Sequence, residues 1–298
     1  MKRAVILAKI VRKSSNPARE FRRYQSELTT YADIGAPLAL ETYARSNDRG
    51  FAQKVLKTRK IANHSAGRAL ARQLFLQDFA KVDKSVASHR IATRSDARMQ
   101  STLKERIRLI GSVEGQANQA IRSRDWTAQL VTLATLSREN NRLYNDILTL
   151  PVPRQLKGQD RLNYIALIEQ NANVYLAKHQ AIEAKLAQFW KDSSAFEGLM
   201  KDYQASRPAV RKVLASELRA ISKVAPSGLK DRVTKAAAQA TEQPATSEVK
   251  TALKEAQEKP FNTDRLEVLR ELQKGLGRET MVAYLDARMT TLKQEAKR

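Results

Sequence analysis

Cysteine is missing from all 298 residues. Its absence excludes disulfides, thiolate catalysis and cysteine-ligated zinc, and leaves both a reducing cytoplasm and a bacterial periplasm open. Aromatic residues are only 6% of the chain and glycines number ten, few for a sheet-rich fold. No apolar run reaches the roughly 18 residues that a membrane-spanning helix needs. The three histidines, His64, His89 and His179, are dispersed and show no paired-ligand spacing. No metal or other cofactor is expected.

Nucleotide and hydrolase signatures are missing too. There is no glycine-rich phosphate loop ending in Gly-Lys-Ser/Thr and no Gly-x-Ser-x-Gly elbow. Gly275-Leu276-Gly277-Arg278 lacks both the third glycine and the preceding strand of a dinucleotide site, and reads as a helix end. Asp264 and Glu267 fall near a helix start, where they complement the helix dipole rather than form a catalytic carboxylate pair. Nothing points to a reaction.

What is present is charge of one sign. Lys and Arg total 54 against 31 Asp and Glu, a net charge of +23. Residues 1–150 carry 28 basic and 13 acidic residues, so the excess is concentrated in the first half. Such a field attracts polyanions: nucleic acid, an anionic membrane surface or acidic protein segments. The basic opening Met1-Lys2-Arg3 followed by Ala4-Val5-Ile6-Leu7-Ala8 briefly has the look of an export signal. Lys9, Arg12 and Lys13 interrupt it, and no small-residue cleavage site follows. An amphipathic first helix is the better reading; an exported protein would need a signal that this chain does not contain.

Ala, Leu, Lys, Arg, Gln and Glu dominate, all good helix formers, and strict two-residue alternation is scarce. The pattern predicts an all-α protein of stacked antiparallel helical hairpins, solenoid-like in arrangement. Three regions are expected. Residues 1–95 hold four or five short basic helices, with Pro17 starting one, Gly35-Ala36-Pro37 opening another and Asn47-Asp48-Arg49-Gly50 forming a turn.

Residues 96–191 form a three-helix unit. Leu103, Ile107, Ile110, Val113, Ala117 and Ile121 mark the apolar stripe of its first helix, and Gly111 and Gly115 suggest close approach of a neighbour. Asp125 is placed to cap the second helix, which Trp126 begins. Leu150-Pro151-Val152-Pro153 then makes a rigid corner, because proline fixes its own φ and bars the residue before it from the helix. Residues 192–298 are punctuated by Asp192-Ser193-Ser194, Ser206-Arg207-Pro208, Ala225-Pro226, Glu242-Gln243-Pro244 and Lys259-Pro260 into shorter helices.

The order along residues 103–190 carries a family likeness. An amphipathic helix, the Asp125-Trp126 turn, a helix rich in Leu and Asn, the Pro151-x-Pro153 corner and Tyr164 a dozen residues later follow in sequence. This resembles the helical region beside the tetratricopeptide repeats of bacterial gliding-motility and cell-envelope repeat proteins. Such proteins usually place a glycine before the aspartate of the turn, where this chain has Arg124, and residues 1–100 lack the full 34-residue repeat consensus. The resemblance implies a non-enzymatic scaffold with protein partners, at the periplasmic face of the envelope if the protein is exported.

Two binding surfaces follow. Lys57 and Lys60, at i,i+3, and Arg68 and Arg72, at i,i+4, suggest a basic helical face for an acidic protein or peptide. The same front-loaded helices support a second reading as a nucleic-acid-binding protein. Tyr144, Tyr164 and Tyr175, expected to be exposed, are candidate partner anchors, since tyrosine offers large contact area with few rotors. Trp126 and Trp190 are read as core packing at a hairpin end.

Overall fold

The computed structural model describes residues 1–153, 155–191, 208–226, 247–276 and 278–295. Every regular element among them is an α-helix, and no strand occurs there. The helices are α1 (Lys2–Lys13), α2 (Pro17–Arg23), α3 (Gln25–Thr30), α4 (Ala32–Ser46), α5 (Arg49–Leu56), α6 (Arg59–Asn63) and α7 (Ser65–Ser88). Then come α8 (Asp96–Ser123), α9 (Trp126–Leu148), α10 (Gly158–Lys191), α11 (Pro208–Val224), α12 (Ser247–Glu258), α13 (Thr263–Gly275) and α14 (Glu279–Glu295). The expected breaks at Asp192-Ser193-Ser194, Ser206-Arg207 and Glu242-Gln243-Pro244 lie outside the described residues.

Local chemistry sets several helix ends. Asn16 caps α2 by accepting the Arg19 amide at 3.1 Å, Asp48 caps α5 through Phe51 at 2.8 Å, and Asn262 caps α13 through Arg265 at 3.1 Å. Each satisfies an amide that the first turn leaves unpaired. Asn47 ends α4 in the left-handed conformation, φ 50°, which asparagine tolerates better than most residues. The proline corner also stands: α9 stops at Leu148, and the helix resumes only at Gly158.

Several expectations need correction. Seven helices precede residue 95, not four or five. α4 begins at Ala32, ahead of Gly35-Ala36-Pro37, so Pro37 sits inside it. In α8 the buried stripe is Arg106, Ile110, Val113, Ala117 and Ala120, whereas Ile107 and Ile121 are 42% and 49% exposed. The helix is rotated so that an arginine enters the interior in place of an isoleucine. Gly111 and Gly115 have no neighbour near their missing Cβ positions and mark no close approach.

The close approaches lie elsewhere. A Cβ on Gly35 would stand 2.2 Å from the Leu28 carbonyl oxygen, and one on Gly67 would stand 1.8 Å from that of Ile61. Only glycine lets α4 and α7 pass the short helices α3 and α6 at these points.

One continuous apolar cluster runs from Leu7 in α1 to Ile221 in α11. Phe21 and Phe51 meet edge-to-face at 5.1 Å in it. α8 and α9 pair across a two-residue turn, and α10 returns along α9, bringing Trp190 back to Trp126. α11 packs on α4, α7 and α9. A second cluster, from Val249 to Met289, is shared by α12, α13 and α14.

Alanine substitutions should separate the two kinds of glycine in urea denaturation. Gly35→Ala or Gly67→Ala should lose about 2 kcal/mol or more through forced backbone shifts. Gly111→Ala and Gly115→Ala should each gain roughly 0.5–1 kcal/mol, because they face open space inside a helix.

Candidate functional site

Arg68 and Arg72 do share a face of α7, one turn apart, but their circumstances differ. Arg72 is engaged on both sides: Nε donates to Asp125 Oδ2 at 2.7 Å and Nη1 to Glu217 Oε2 at 2.6 Å. The Glu217 side chain is fully buried and also accepts from Gln73 Nε2, while Gln73 Oε1 accepts from Ser216 Oγ at 2.8 Å. Burial holds the Glu217 carboxyl above its ordinary value, against the opposing pull of the Arg72 charge. Both its oxygens accept hydrogen bonds, Oε2 from Arg72 and Oε1 from Gln73. Burial also opposes the Arg72 charge, but Glu217 and Asp125 outweigh it and hold the guanidinium above its ordinary value. Arg72 is thus a tie between α7, α9 and α11, not a free cation.

Asp125 does double duty. Oδ1 accepts the Ala128 amide at 2.9 Å, capping α9 as its position in the turn suggests, while Oδ2 holds Arg72. Its neighbour Arg124 adopts φ 53°, the left-handed region, as the residue that terminates α8. Any side chain there costs about 1–2 kcal/mol relative to the right-handed region, and glycine is the usual occupant.

These elements enclose a cleft of about 360 Å³. Arg68 and Arg124 stand on its wall, Phe75 and Trp126 supply apolar surface, and the Arg72–Asp125 pair forms part of its lining. Arg68 is exposed and donates to the Asn63 carbonyl at 2.8 Å; neither Arg68 nor Arg124 has a carboxylate partner among the described residues. Behind the cleft, Trp126 packs edge-to-face on Trp190 at 5.9 Å and against Phe189 at 6.5 Å, the hairpin-end packing expected for the tryptophans. The Trp126 indole N–H is buried with no acceptor.

The other candidate residues lie apart from this cleft. Lys57 follows the end of α5 and Lys60 belongs to α6, so the i,i+3 spacing crosses a helix break and gives no shared helical face. Both are exposed. Tyr144, Tyr164 and Tyr175 are half-buried rather than exposed, with Tyr144 and Tyr175 packed against the main core. Pro151 and Pro153 lie in the connection from α9 to α10.

Two polar clusters had no visible signal in the sequence. Arg106 and Glu139 are 0% and 1% exposed and form an ion pair, and Arg106 Nη1 also donates to the Val86 carbonyl. Arg142 donates to the carbonyls of Ala87 and His89 at 2.9 and 2.7 Å, so two arginines close the C-terminal end of α7. The second cluster joins Ser137 to His179 Nδ1 at 2.7 Å and to Glu183. The trio has the residue types of a hydrolase triad without its geometry: the carboxylate accepts from the serine instead of orienting the imidazole, and Ser137 is 1% exposed. It clasps α9 to α10. Among the described residues, no three histidine, aspartate or glutamate side chains converge to hold a metal.

No protein-family model, curated protein or solved structure matches the chain.

Removing one partner of the buried Arg106–Glu139 pair should destabilise strongly. Glu139→Ala should lose about 3–5 kcal/mol in urea denaturation, since it strands a buried guanidinium. Arg106→Met should lose less, because the Glu139 carboxylate keeps Arg138 at 2.8 Å and Arg142 at 3.8 Å while methionine fills most of the space.

Proposed function

We propose that the protein is a non-enzymatic helical scaffold that binds an acidic segment of a partner protein in the cleft between α7 and the α8–α9 turn. The observation that carries this reading is Arg124. A cation holds a backbone position that glycine fills at lower cost, and it lines a cleft with a second arginine, Arg68, neither having a carboxylate partner among the described residues. Residues in such conformations persist where the side chain is needed.

Phe75 and Trp126 favour a peptide ligand, because they offer apolar contact next to the cations and suit a segment with aliphatic or aromatic side chains between its acids. The successive antiparallel packing of α8, α9 and α10 supports a tetratricopeptide-like stacking of hairpins, and the likeness of residues 103–190 to envelope repeat proteins supports a role at the bacterial cell envelope. A second reading, binding of nucleic acid, is favoured by the exposed Lys54, Lys57, Arg59 and Lys60, none of which makes an ion pair among the described residues.

Fluorescence anisotropy with a labelled peptide of alternating glutamate and phenylalanine tests the first reading. Arg68→Glu should weaken binding about tenfold or more, the scale of a lost charged hydrogen bond. Arg124→Gly should weaken it comparably while leaving thermal stability equal or higher, because the left-handed strain is relieved. Peptide affinity unchanged in both variants would remove the cleft from the proposal. Retention of a polynucleotide that falls steeply with salt, insensitive to either variant, would favour the second reading.

A further inference from the structure

α1 has two different faces, and only one is used by the fold. Ala4, Leu7, Ala8 and Val11 are buried where the helix packs on α2, α3 and α4. Arg12 is tied to Glu41 at 2.9 Å, and Arg45 donates to the carbonyls of Arg12 and Ser14 at the helix end, at 2.7 and 3.0 Å. The helix is therefore held in a set orientation with its other face turned out.

That outer face is both cationic and apolar. At about 100° per residue, Lys2, Lys9 and Lys13 fall within roughly 40° of one another, with Val5 on one flank and Ile6 and Ile10 on the other. Val5, Ile6 and Ile10 are 41%, 59% and 42% exposed. α1 contains no acidic residue, and its three outward lysines make no ion pair among the described residues. A helix face serving only solvation would not show three β-branched apolar side chains to water.

We infer that this face of α1 docks on the surface of an anionic lipid bilayer. A lipid interface supplies both halves of the complement: the lysines along the middle of the face meet the headgroup phosphates, while the valine on one flank and the isoleucines on the other contact the apolar boundary beside them. A nucleic-acid backbone would satisfy the lysines and leave the apolar side chains in water. The twelve-residue helix, roughly 18 Å long, lies along the interface and does not cross it. The wider positive charge of the chain, +23 in all, reinforces attraction to anionic headgroups.

Flotation of the full chain with phosphatidylcholine vesicles, with and without roughly one-third phosphatidylglycerol, tests this. The protein should float with the anionic vesicles and not the neutral ones, and less so as salt rises. Each lysine near the surface is worth roughly fivefold in partitioning, so Lys9→Glu with Lys13→Glu should cost at least about 25-fold. Ile6→Ser with Ile10→Ser, which leaves the charge unaltered, should cost about tenfold or more. Circular dichroism and the peptide affinity of the cleft should be unaltered in both variants, since the substituted side chains face solvent. Failure to float, equal binding to neutral vesicles, or wild-type binding by the serine variant would each overturn the inference. So would oligonucleotide retention that the lysine variant abolishes in a protein that never binds vesicles.

Discussion

The packing of α7, α8 and α9 depends on a guanidinium that has been taken out of water. Arg106 spends one edge on the last turn of α7, through the Val86 carbonyl, and another on Glu139 of α9. A helix end inside a fold leaves carbonyls that must find donors, and a long side chain with five N–H groups can supply them across a helix interface. Arg142 completes the closure at Ala87 and His89. Because an unpaired buried charge is so costly, this arrangement fixes which face of α8 points inward. The two exposed isoleucines of α8 are a consequence of that choice.

The same logic divides the positive charge of the chain into two populations. Arginines join helices that are distant in sequence: Arg12 to Glu41, Arg22 to Asp48, Arg49 to Asp78, Arg72 to Asp125 and Glu217, Arg138 to Asp83. Their planar forks suit bidentate and bridging contacts, whereas lysine is a hydrated point charge on a flexible stem. Lysines such as Lys2, Lys9, Lys54, Lys57 and Lys60 remain in solvent. The net charge is therefore not a uniform coat. It is what remains after the arginines have assembled the interior, and the two surfaces proposed for binding lie where cations with no ion pair among the described residues adjoin apolar side chains.

The candidate cleft was only partly legible in the sequence. The four-residue spacing of Arg68 and Arg72 placed both on one helical face, and Asp125 could be read as a cap from its place in a short turn. That Arg72 is consumed by Asp125 and Glu217 could not be read, because Glu217 lies 145 residues along the chain. Arg124 did leave a trace, as the residue in a tight turn where glycine is usual. Its part in the cleft wall emerged only when α7 was set beside that turn.

What the sequence alone determined is whatever acts within about one helical turn. Helix composition, the caps at Asn16, Asp48, Asp125 and Asn262, and the stop at Pro151 and Pro153 are all local effects, so their signals sit beside the structure they produce. The tertiary structure decided which side of each helix is buried, which glycines are obligatory and which cations are spent. Those outcomes are set by partners brought close in space from far along the chain, and periodicity on one helix cannot register a carboxylate on another.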